Sequence, residues 1–279
     1  MSSSDLPKAS IAWAGKHFGE EPPLVGNSTQ GAGGIFFSGC HLKCVFCQNY
    51  QISQGGLEGE LYDPQQLADL MLKLQNDGAV NIDLVTPTIW WQQLKLAIPL
   101  ARKSGLKIPI VWNSNGYEAI ELLKNMDGLV EIYLPDFKYG LEEVAWKYSG
   151  IHNYPSIALN AIKEMSRQVG NLQLDEQTGL ATRGVLVRHL ILPNNLENSR
   201  TALKLLADFD QDLFISLMSQ YYPLYGAVNF PEINREVTVG EAEEMIDYLW
   251  SLNLQNGWTQ EPDSSQQLIP DFTKINPFK

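Results

Sequence analysis

One stretch of the sequence decides the fold and the chemistry: Gly39-Cys40-His41-Leu42-Lys43-Cys44-Val45-Phe46-Cys47-Gln48-Asn49. It holds all three cysteines of the 279-residue chain, in the spacing C-x3-C-x2-C. An odd number of cysteines cannot pair fully into disulfides, and thiols this close together indicate metal binding or catalysis. Iron–sulfur clusters normally take four cysteine ligands, so three would leave one iron with an open position. At such an open position a metal site can bind a substrate.

Around this loop, short apolar segments alternate with amphipathic ones. The run Ile35-Phe36-Phe37 predicts a buried strand that leads into the cysteines, and Asp63-Pro64 predicts the capped start of a helix. Further strands are predicted at 80–85, 108–112, 129–134, 185–192 and 213–218, and further helices at 90–103, 118–124, 155–169, 199–207 and from 239 onward. About six strand–helix units fit between Ile35 and Leu252. That number favours an α/β fold with a parallel sheet, as an open partial barrel or a doubly wound sheet.

The two ends of the chain differ from this core. Residues 1–30 are punctuated by turn-forming residues and are predicted to be an irregular N-terminal lead-in. Residues 31–256 form the predicted core domain. Residues 257–279, with Pro262, Pro270 and Pro277, are predicted to be a C-terminal extension on the surface.

Charge and hydropathy limit the partners. The chain has 32 acidic and 20 basic residues, a net charge of −12, which would repel a phosphate backbone. No apolar run approaches the length of a membrane span. The start, Met-Ser-Ser-Ser-Asp5, lacks the charged-then-apolar layout of a signal peptide. We therefore expect a cytoplasmic protein that binds neither nucleic acid nor membranes.

The cysteine motif, with the aromatic Phe46 just before its last cysteine, resembles the signature of the radical SAM superfamily. Other blocks are similar to the pyruvate formate-lyase activating enzyme-like branch of that superfamily. They span about residues 11–252 and include His17-Phe18-Gly19-Glu20-Glu21-Pro22-Pro23, Asn115-Gly116-Tyr117, Leu134-Pro135-Asp136-Phe137-Lys138-Tyr139, Val187-Arg188-His189-Leu190 and Met218-Ser219-Gln220-Tyr221-Tyr222-Pro223.

This resemblance implies a partial (β/α)6 TIM-like barrel of the radical SAM type, with short extensions at both ends. It implies a [4Fe-4S] cluster on Cys40, Cys44 and Cys47, with S-adenosylmethionine on the open iron. Reductive cleavage would give methionine and a 5′-deoxyadenosyl radical that takes hydrogen from a substrate. The electron would come from a donor such as flavodoxin or ferredoxin. The branch name suggests a glycyl-radical enzyme as the protein substrate.

The resemblance also implies cofactor-binding residues at the carboxyl ends of the strands. The expected residues are Asn113, Asn115, Asp136, Lys138, Arg188 and Gln220. Asp136 and Lys138 match an Asp-x-Lys pattern that such activating enzymes use near the methionine part of the cofactor. Asn113 stands where they tend to have an aspartate, and Thr86-Pro87-Thr88 stands where the superfamily often has Gly-Gly-Glu.

Other interpretations stay open at this point. Asp136 and Lys138 can pair with each other, and Arg188, in an apolar strand, needs either an anionic ligand or a structural salt bridge. His189 is predicted to be a core histidine. The chain could instead modify another protein or a small molecule by radical chemistry. It could also be non-catalytic, with a structural zinc that includes His41 or a cluster used only for electron transfer.

Overall fold

Ten strands pair into one sheet within residues 7–259 and 269–278, the part of the chain that the computed structural model describes. The strands are β1 (Ala9–His17), β2 (Ala32–Phe37), β3 (Glu60–Tyr62), β4 (Ile82–Val85), β5 (Ile110–Ser114), β6 (Ile132–Pro135), β7 (Gln173–Leu174), β8 (Ala181–Leu190), β9 (Phe214–Met218) and β10 (Gly257–Thr259). Their order across the sheet is β10-β9-β8-β6-β5-β4-β2-β1-β3, with β7 paired to β8.

Nine α-helices accompany these strands in the same described residues. They are α1 (Pro22–Val25), α2 (Tyr50–Ser53), α3 (Pro64–Asn76), α4 (Trp91–Lys103), α5 (Ile120–Met126), α6 (Glu142–Ser149), α7 (Tyr154–Val169), α8 (Leu196–Phe209) and α9 (Val239–Ser251). The start of α3 is fixed by Asp63, whose side chain accepts the backbone N–H groups of Gln65 and Gln66. The sequence did not predict α6, which has no side-chain cap at its first residue. Within the described residues, no helix is both long enough and apolar enough to cross a membrane.

The six strand–helix units predicted from the sequence are confirmed. The strands β2, β4, β5, β6, β8 and β9 pair in parallel, and β10 adds a short seventh parallel strand. Among the described strands, β3 and β10 occupy opposite edges, so the sheet is not closed. The fold is therefore an open, mostly parallel α/β sheet, the partial barrel that was expected.

The N-terminal region is not the irregular lead-in that was predicted. The strand β1 pairs antiparallel with β2 over most of its length, from Ile11 opposite Phe37 to His17 opposite Ala32. Its sequence, A-S-I-A-W-A-G-K-H, has no sustained run of β-branched residues. The strand is formed by its ladder to the fully buried β2, a tertiary contact that local propensity does not reveal.

The predicted C-terminal extension also contributes to the fold. Residues 257–259 are β10, which extends the sheet beside β9. Near the end of the chain, Phe272 and Phe278 pack against Phe36 of β2, with ring centroids 5.6 and 5.3 Å away. Residues 1–6, 260–268 and 279, which include the predicted start and Pro262, lie outside the described residues. The division at 31 and 256 stays a prediction.

Successive side chains along each strand point to opposite faces of the sheet, one covered by helices and one facing the interior of the partial barrel. On the inner face, Val111, Leu134 and Leu186 belong to a separate apolar cluster. Two residues further along the same three segments, and so on the same side, stand Asn113, Asp136 and Arg188. The interior of the partial barrel is therefore apolar in its lower part and polar towards the carboxyl ends of its strands.

Candidate active site

A cavity of about 220 Å³ lies where the parallel strands end. The three cysteines lie on its wall, and so do all six residues that the resemblance implied as cofactor-binding. Segments distant in sequence meet here because parallel strands bring their carboxyl ends to one edge. The structure thus gathers the predicted site residues in one place, although their roles stay predictions.

Aromatic packing holds the cysteine loop over this cavity. Phe46 is 6% exposed and lies edge-on to Tyr139 and Tyr221, with centroid separations of 6.3 and 5.9 Å. The backbone N–H of Val45 donates to the carbonyl of Tyr148 in α6. The aromatic residue of the motif is therefore an anchor that sets the position of the loop, so the thiols are held on a rigid support.

Each of the three sulfurs has a hydrogen-bonding neighbour from the protein. The Ser149 hydroxyl donates to Cys44 Sγ at 3.0 Å, and the hydroxyl of Ser53 lies 3.2 Å from Cys47 Sγ. Cys40 Sγ accepts from the Asn115 amide at 3.5 Å and from a backbone N–H at 3.4 Å. Hydrogen bonds to ligand sulfurs are one way in which proteins tune iron–sulfur clusters.

The protonation chemistry of these thiols fits a bound metal cluster. Burial raises the pKa of the Cys40 thiol, and it raises the pKa of Cys47 to about 11. The thiolate forms of Cys40 and Cys47 therefore need added positive charge, which metal ions supply when they displace the protons. Three hydrogen-bonded thiols on the wall of one cavity match a cluster with one iron left open.

A histidine at position 41 does not complete a zinc site in this arrangement. His41 Nε2 lies 3.0 Å from the carbonyl oxygen of Tyr117. Burial lowers its pKa, and the neutral ring donates to that carbonyl. The contact disfavours the interpretation in which His41 joins the cysteines as a fourth ligand.

Arg188 is held by protein groups at three of its nitrogen atoms. Its Nε donates to Asp136 at 2.9 Å, and one terminal nitrogen donates to Glu20 at 2.7 Å. The other terminal nitrogen donates to the side-chain oxygen of Asn113 at 2.6 Å. The observed contacts are those of the structural salt bridge that the sequence left open. The carboxylate of a bound cofactor would have to compete with them.

Lys138 and Asp136 also pair with each other, Nζ to Oδ2 at 2.5 Å. Burial opposes the charged forms of both, but Arg188 and Lys138 lower the pKa of Asp136, and Asp136 raises the pKa of Lys138. Both groups therefore stay charged at neutral pH. An ammonium group has three N–H donors, and this pair uses one of them. Lys138 thus keeps donors for an anionic group in the cavity.

The turn after β4 has the backbone shape that the expected Gly-Gly-Glu segment would favour. Thr86 has φ of 61°, a left-handed conformation that is rare for a β-branched residue. Its backbone N–H donates to the carbonyl of Asn113, and the residue lines the cavity. Strained backbone of this kind concentrates at functional sites.

Gln220, on the wall formed after β9, has a buried Oε1 without a partner among the described residues.

The sequence did not predict that His17, Glu20 and Asp83 would form a buried cluster beside Arg188. His17 Nε2 lies 3.2 Å from Asp83 Oδ2 and 3.9 Å from Glu20 Oε1. Burial raises the pKa of Glu20 to about 7, with Asp83 adding to the effect. Burial would lower the pKa of His17, but its hydrogen bond with Asp83 raises it. The available signal was Asp83 itself, a charged residue inside the apolar run Ile82-Asp83-Leu84-Val85.

His189 is the core histidine that was predicted. Its Nδ1 lies 2.6 Å from the carbonyl of Phe137, and its Nε2 lies 2.9 Å from the hydroxyl of Ser199. Burial lowers its pKa to about 4, so the ring is neutral. It supports the wall of the site without facing the cavity.

Comparison with known proteins gives one family and several similar folds. Residues 35–174, half of the chain, match the sequence model of the radical SAM superfamily. Uncharacterized protein MJ0674 of Methanocaldococcus jannaschii is 32% identical over 247 residues, which are 85% of this chain and 66% of that protein. The chain therefore spans just under two thirds of the length of this relative.

Two solved structures have the same fold. Streptococcus suis SuiB bound to S-adenosylmethionine matches 84% of this chain and 48% of its own, with a TM-score of 0.55 and 11% identity. Methylornithine synthase matches 79% of this chain and 61% of its own, with a TM-score of 0.51 and 15% identity. At these identities the likeness concerns the fold alone.

Proposed function

This chain belongs to the radical SAM superfamily, and from that premise we propose that Cys40, Cys44 and Cys47 bind a [4Fe-4S] cluster at which S-adenosylmethionine is reductively cleaved. The superfamily uses this cluster together with this cofactor. One observation carries the assignment of residues: three hydrogen-bonded thiols and a ring of strand-end polar side chains share a single cavity.

Bound together, the cluster and S-adenosylmethionine would supply an electron and a 5′-deoxyadenosyl radical, and an external donor such as flavodoxin or ferredoxin would restore the electron. The chain's own residues hold and orient the reactants. Lys138 offers N–H donors to the cofactor carboxylate, and Gln220 Oε1 offers an acceptor to its amino or ribose groups. Phe36, Phe278 and Met218 line the remaining wall and exclude water from the reacting atoms.

Metal analysis after anaerobic reconstitution tests this proposal. We expect about four iron and four acid-labile sulfide per chain, and 5′-deoxyadenosine when dithionite and S-adenosylmethionine are added. Cys44→Ala should lose the iron, the sulfide and the product together. A matched control is Ser251→Ala, which removes an exposed helix-end hydroxyl that donates to the Tyr248 carbonyl of its own helix. Zinc without sulfide in the wild-type protein would contradict the proposal, because it would identify a structural site.

The substrate of the radical is the finer part of the proposal. The blocks shared with the pyruvate formate-lyase activating enzyme-like branch support a glycyl-radical enzyme as the partner. The activated atom would then be a glycine Cα, from which the radical takes one hydrogen atom. Modification of a different protein or of a small molecule is the alternative.

Isotope transfer separates these substrates. The chain would be incubated with a glycyl-radical enzyme that carries α-deuterated glycine, and the 5′-deoxyadenosine would be examined by mass spectrometry. We expect deuterium in the product. We also expect a glycyl-radical EPR signal that is a doublet with unlabelled glycine and collapses with deuterated glycine, because the remaining α-hydrogen causes the splitting. Unlabelled product, with the cluster intact and cleavage active, would exclude this partner while leaving the cleavage reaction in place.

A further inference from the structure

We propose that His17, Glu20 and Asp83 form a binding site for a divalent transition-metal cation, separate from the cysteine loop and facing the same cavity. Their ligand atoms lie within 4.8 Å of one another, and His17 and Glu20 line the cavity wall. The proposal rests on these side chains and does not require that the cysteines hold a cluster.

The spacing of the donor atoms suits one ion. Two ligands that each lie about 2.1 Å from a metal are about 3.0–3.4 Å apart in tetrahedral or octahedral sites. His17 Nε2 and Asp83 Oδ2 are 3.2 Å apart, within that range. Glu20 Oε1 lies 3.9 Å from the same nitrogen and needs a shift of about half an ångström. A single N–H of His17 cannot serve both carboxylates, whereas one cation can.

Charge in the surrounding network favours a divalent cation. Glu20, Asp83 and Asp136 are joined through Arg188 and Asn113, and Lys138 pairs with Asp136. Glu21, which is 3% exposed, lies within electrostatic reach of Arg188. When all four are ionised, these carboxylates face two permanent cations, so bound protons or a metal ion must balance two negative charges. Among the described residues, nothing donates to the buried Oδ1 of Asp83, although this residue is only 1% exposed.

Neighbouring groups already orient the two carboxylates. Arg188 holds Glu20 through Oε2, which leaves Oε1 directed at His17. The Asn113 amide lies 3.4 Å from Asp83 Oδ2. Donors that fix ligand carboxylates in this way commonly surround metal sites. Phe278 stacks on the His17 ring at 5.4 Å, which shields the site from bulk water.

The donor set determines the class of metal and its use. One imidazole and two carboxylates suit Mn²⁺, Fe²⁺ or Zn²⁺ and do not favour thiophilic ions. Three protein ligands would leave open positions on the metal, and two of these ligands, His17 and Glu20, line the cavity wall. An oxygen-bearing group of the substrate, such as a carboxylate or a hydroxyl, would bind there and be held beside the reactive centre.

Manganese is a suitable probe because it prefers oxygen and nitrogen over the thiols of the cysteine loop. Reconstituted wild-type protein would be titrated with MnCl₂ and followed by EPR. We expect one bound Mn²⁺ per chain, with a ¹⁴N coupling from His17 in the pulsed spectrum. His17→Gln should abolish that coupling, and His17→Gln and Asp83→Asn should each weaken binding at least about 10-fold.

Two controls make the result specific. His152→Gln removes an exposed histidine 3.6 Å from Glu142, a similar imidazole–carboxylate pair on the surface, and should leave Mn²⁺ binding unchanged. Cys44→Ala should also bind Mn²⁺ like the wild type, so failure of cluster assembly cannot be mistaken for failure of this site. If a cavity variant does not fold, a ¹⁴N coupling that persists in His152→Gln still excludes the surface histidine as its source.

Three results would overturn the inference. One is wild-type protein that binds no Mn²⁺ at about 1 mM, which would mean that protons balance the buried charge. Another is bound Mn²⁺ without a ¹⁴N coupling. The third is binding that His17→Gln and Asp83→Asn leave intact.

Discussion

Arg188 gives the sharpest test of how the site is built, because the observed contacts and the expected cofactor contact predict different losses. Replacing it in Arg188→Met removes the cation that lies between Glu20 and Asp136. The three side chains are only 10–15% exposed, so their attraction is poorly screened by water. Breaking a buried ion pair by removing one partner costs about 3–5 kcal/mol. Because Lys138 still neutralises Asp136, we expect the lower end, about 3 kcal/mol.

A second substitution isolates the cause of that loss. Glu20 is the carboxylate left without a cation in Arg188→Met, so adding Glu20→Gln should recover about half of the lost stability. Arg188→Lys keeps the charge but reaches fewer partners than the planar guanidinium does. Its loss of stability should therefore lie between zero and that of Arg188→Met. The free energy of unfolding would be measured by urea denaturation of the cluster-free protein under anaerobic, reducing conditions.

S-adenosylmethionine binding to cluster-loaded protein completes the test. If Arg188 mainly holds the network, folded Arg188→Lys should bind the cofactor within about 10-fold of the wild type. The reasoning is refuted if Arg188→Met costs less than about 1 kcal/mol in stability while cofactor binding disappears. That outcome would show that the guanidinium leaves its protein partners to bind the cofactor carboxylate.

Three further predictions follow from individual contacts. Lys138→Met removes a charge-assisted donor and should weaken S-adenosylmethionine binding about 10-fold or more by calorimetry, and unchanged affinity would count against a contact. Ser149→Ala removes the donor to Cys44 and should lower the cluster reduction potential in an EPR-monitored titration, because a sulfur hydrogen bond favours the more negative reduced state. Burial raises the pKa of Glu118 to about 7 from an ordinary 4.5, so the folded state keeps a proton that the unfolded chain loses, and stability falls as pH rises between these values. Glu118→Gln should therefore gain up to about 3 kcal/mol relative to the wild type between pH 4.5 and 7 in urea denaturation, and a difference that does not change with pH would contradict the raised pKa.

Local patterns in the sequence were enough to predict the parallel strands and the cysteine loop. Strand periodicity and the C-x3-C-x2-C spacing are local features, and the position of polar residues after strands follows from parallel topology. The partners of Arg188 are different, because Glu20 lies 168 positions and Asp136 lies 52 positions away along the chain. A charge in an apolar strand shows that a partner exists, but only the folded chain shows which one.

The left-handed backbone conformation at Thr86 could not be predicted from the sequence, for a related reason. A threonine gives no sign of positive φ, since that conformation is unfavourable for a β-branched residue. Here the β4–β5 ladder fixes the chain up to Val85, and the Thr86 N–H is held by the Asn113 carbonyl. The turn geometry is thus imposed by the sheet, and the substitution of threonine for the expected glycine does not reveal it.

The Arg188 network also bears on where the working unit begins. Glu20 belongs to the segment that was predicted to lie outside the core, yet it receives one arm of a guanidinium whose other arms hold Asp136 and Asn113. Without that segment, Arg188 would lose one buried carboxylate and the antiparallel partner of β2 would be gone. Since β2 leads directly into the cysteine loop, both losses would act on the cavity wall. The N-terminal strand is therefore part of the machinery that positions the site, even though the family signature begins after it.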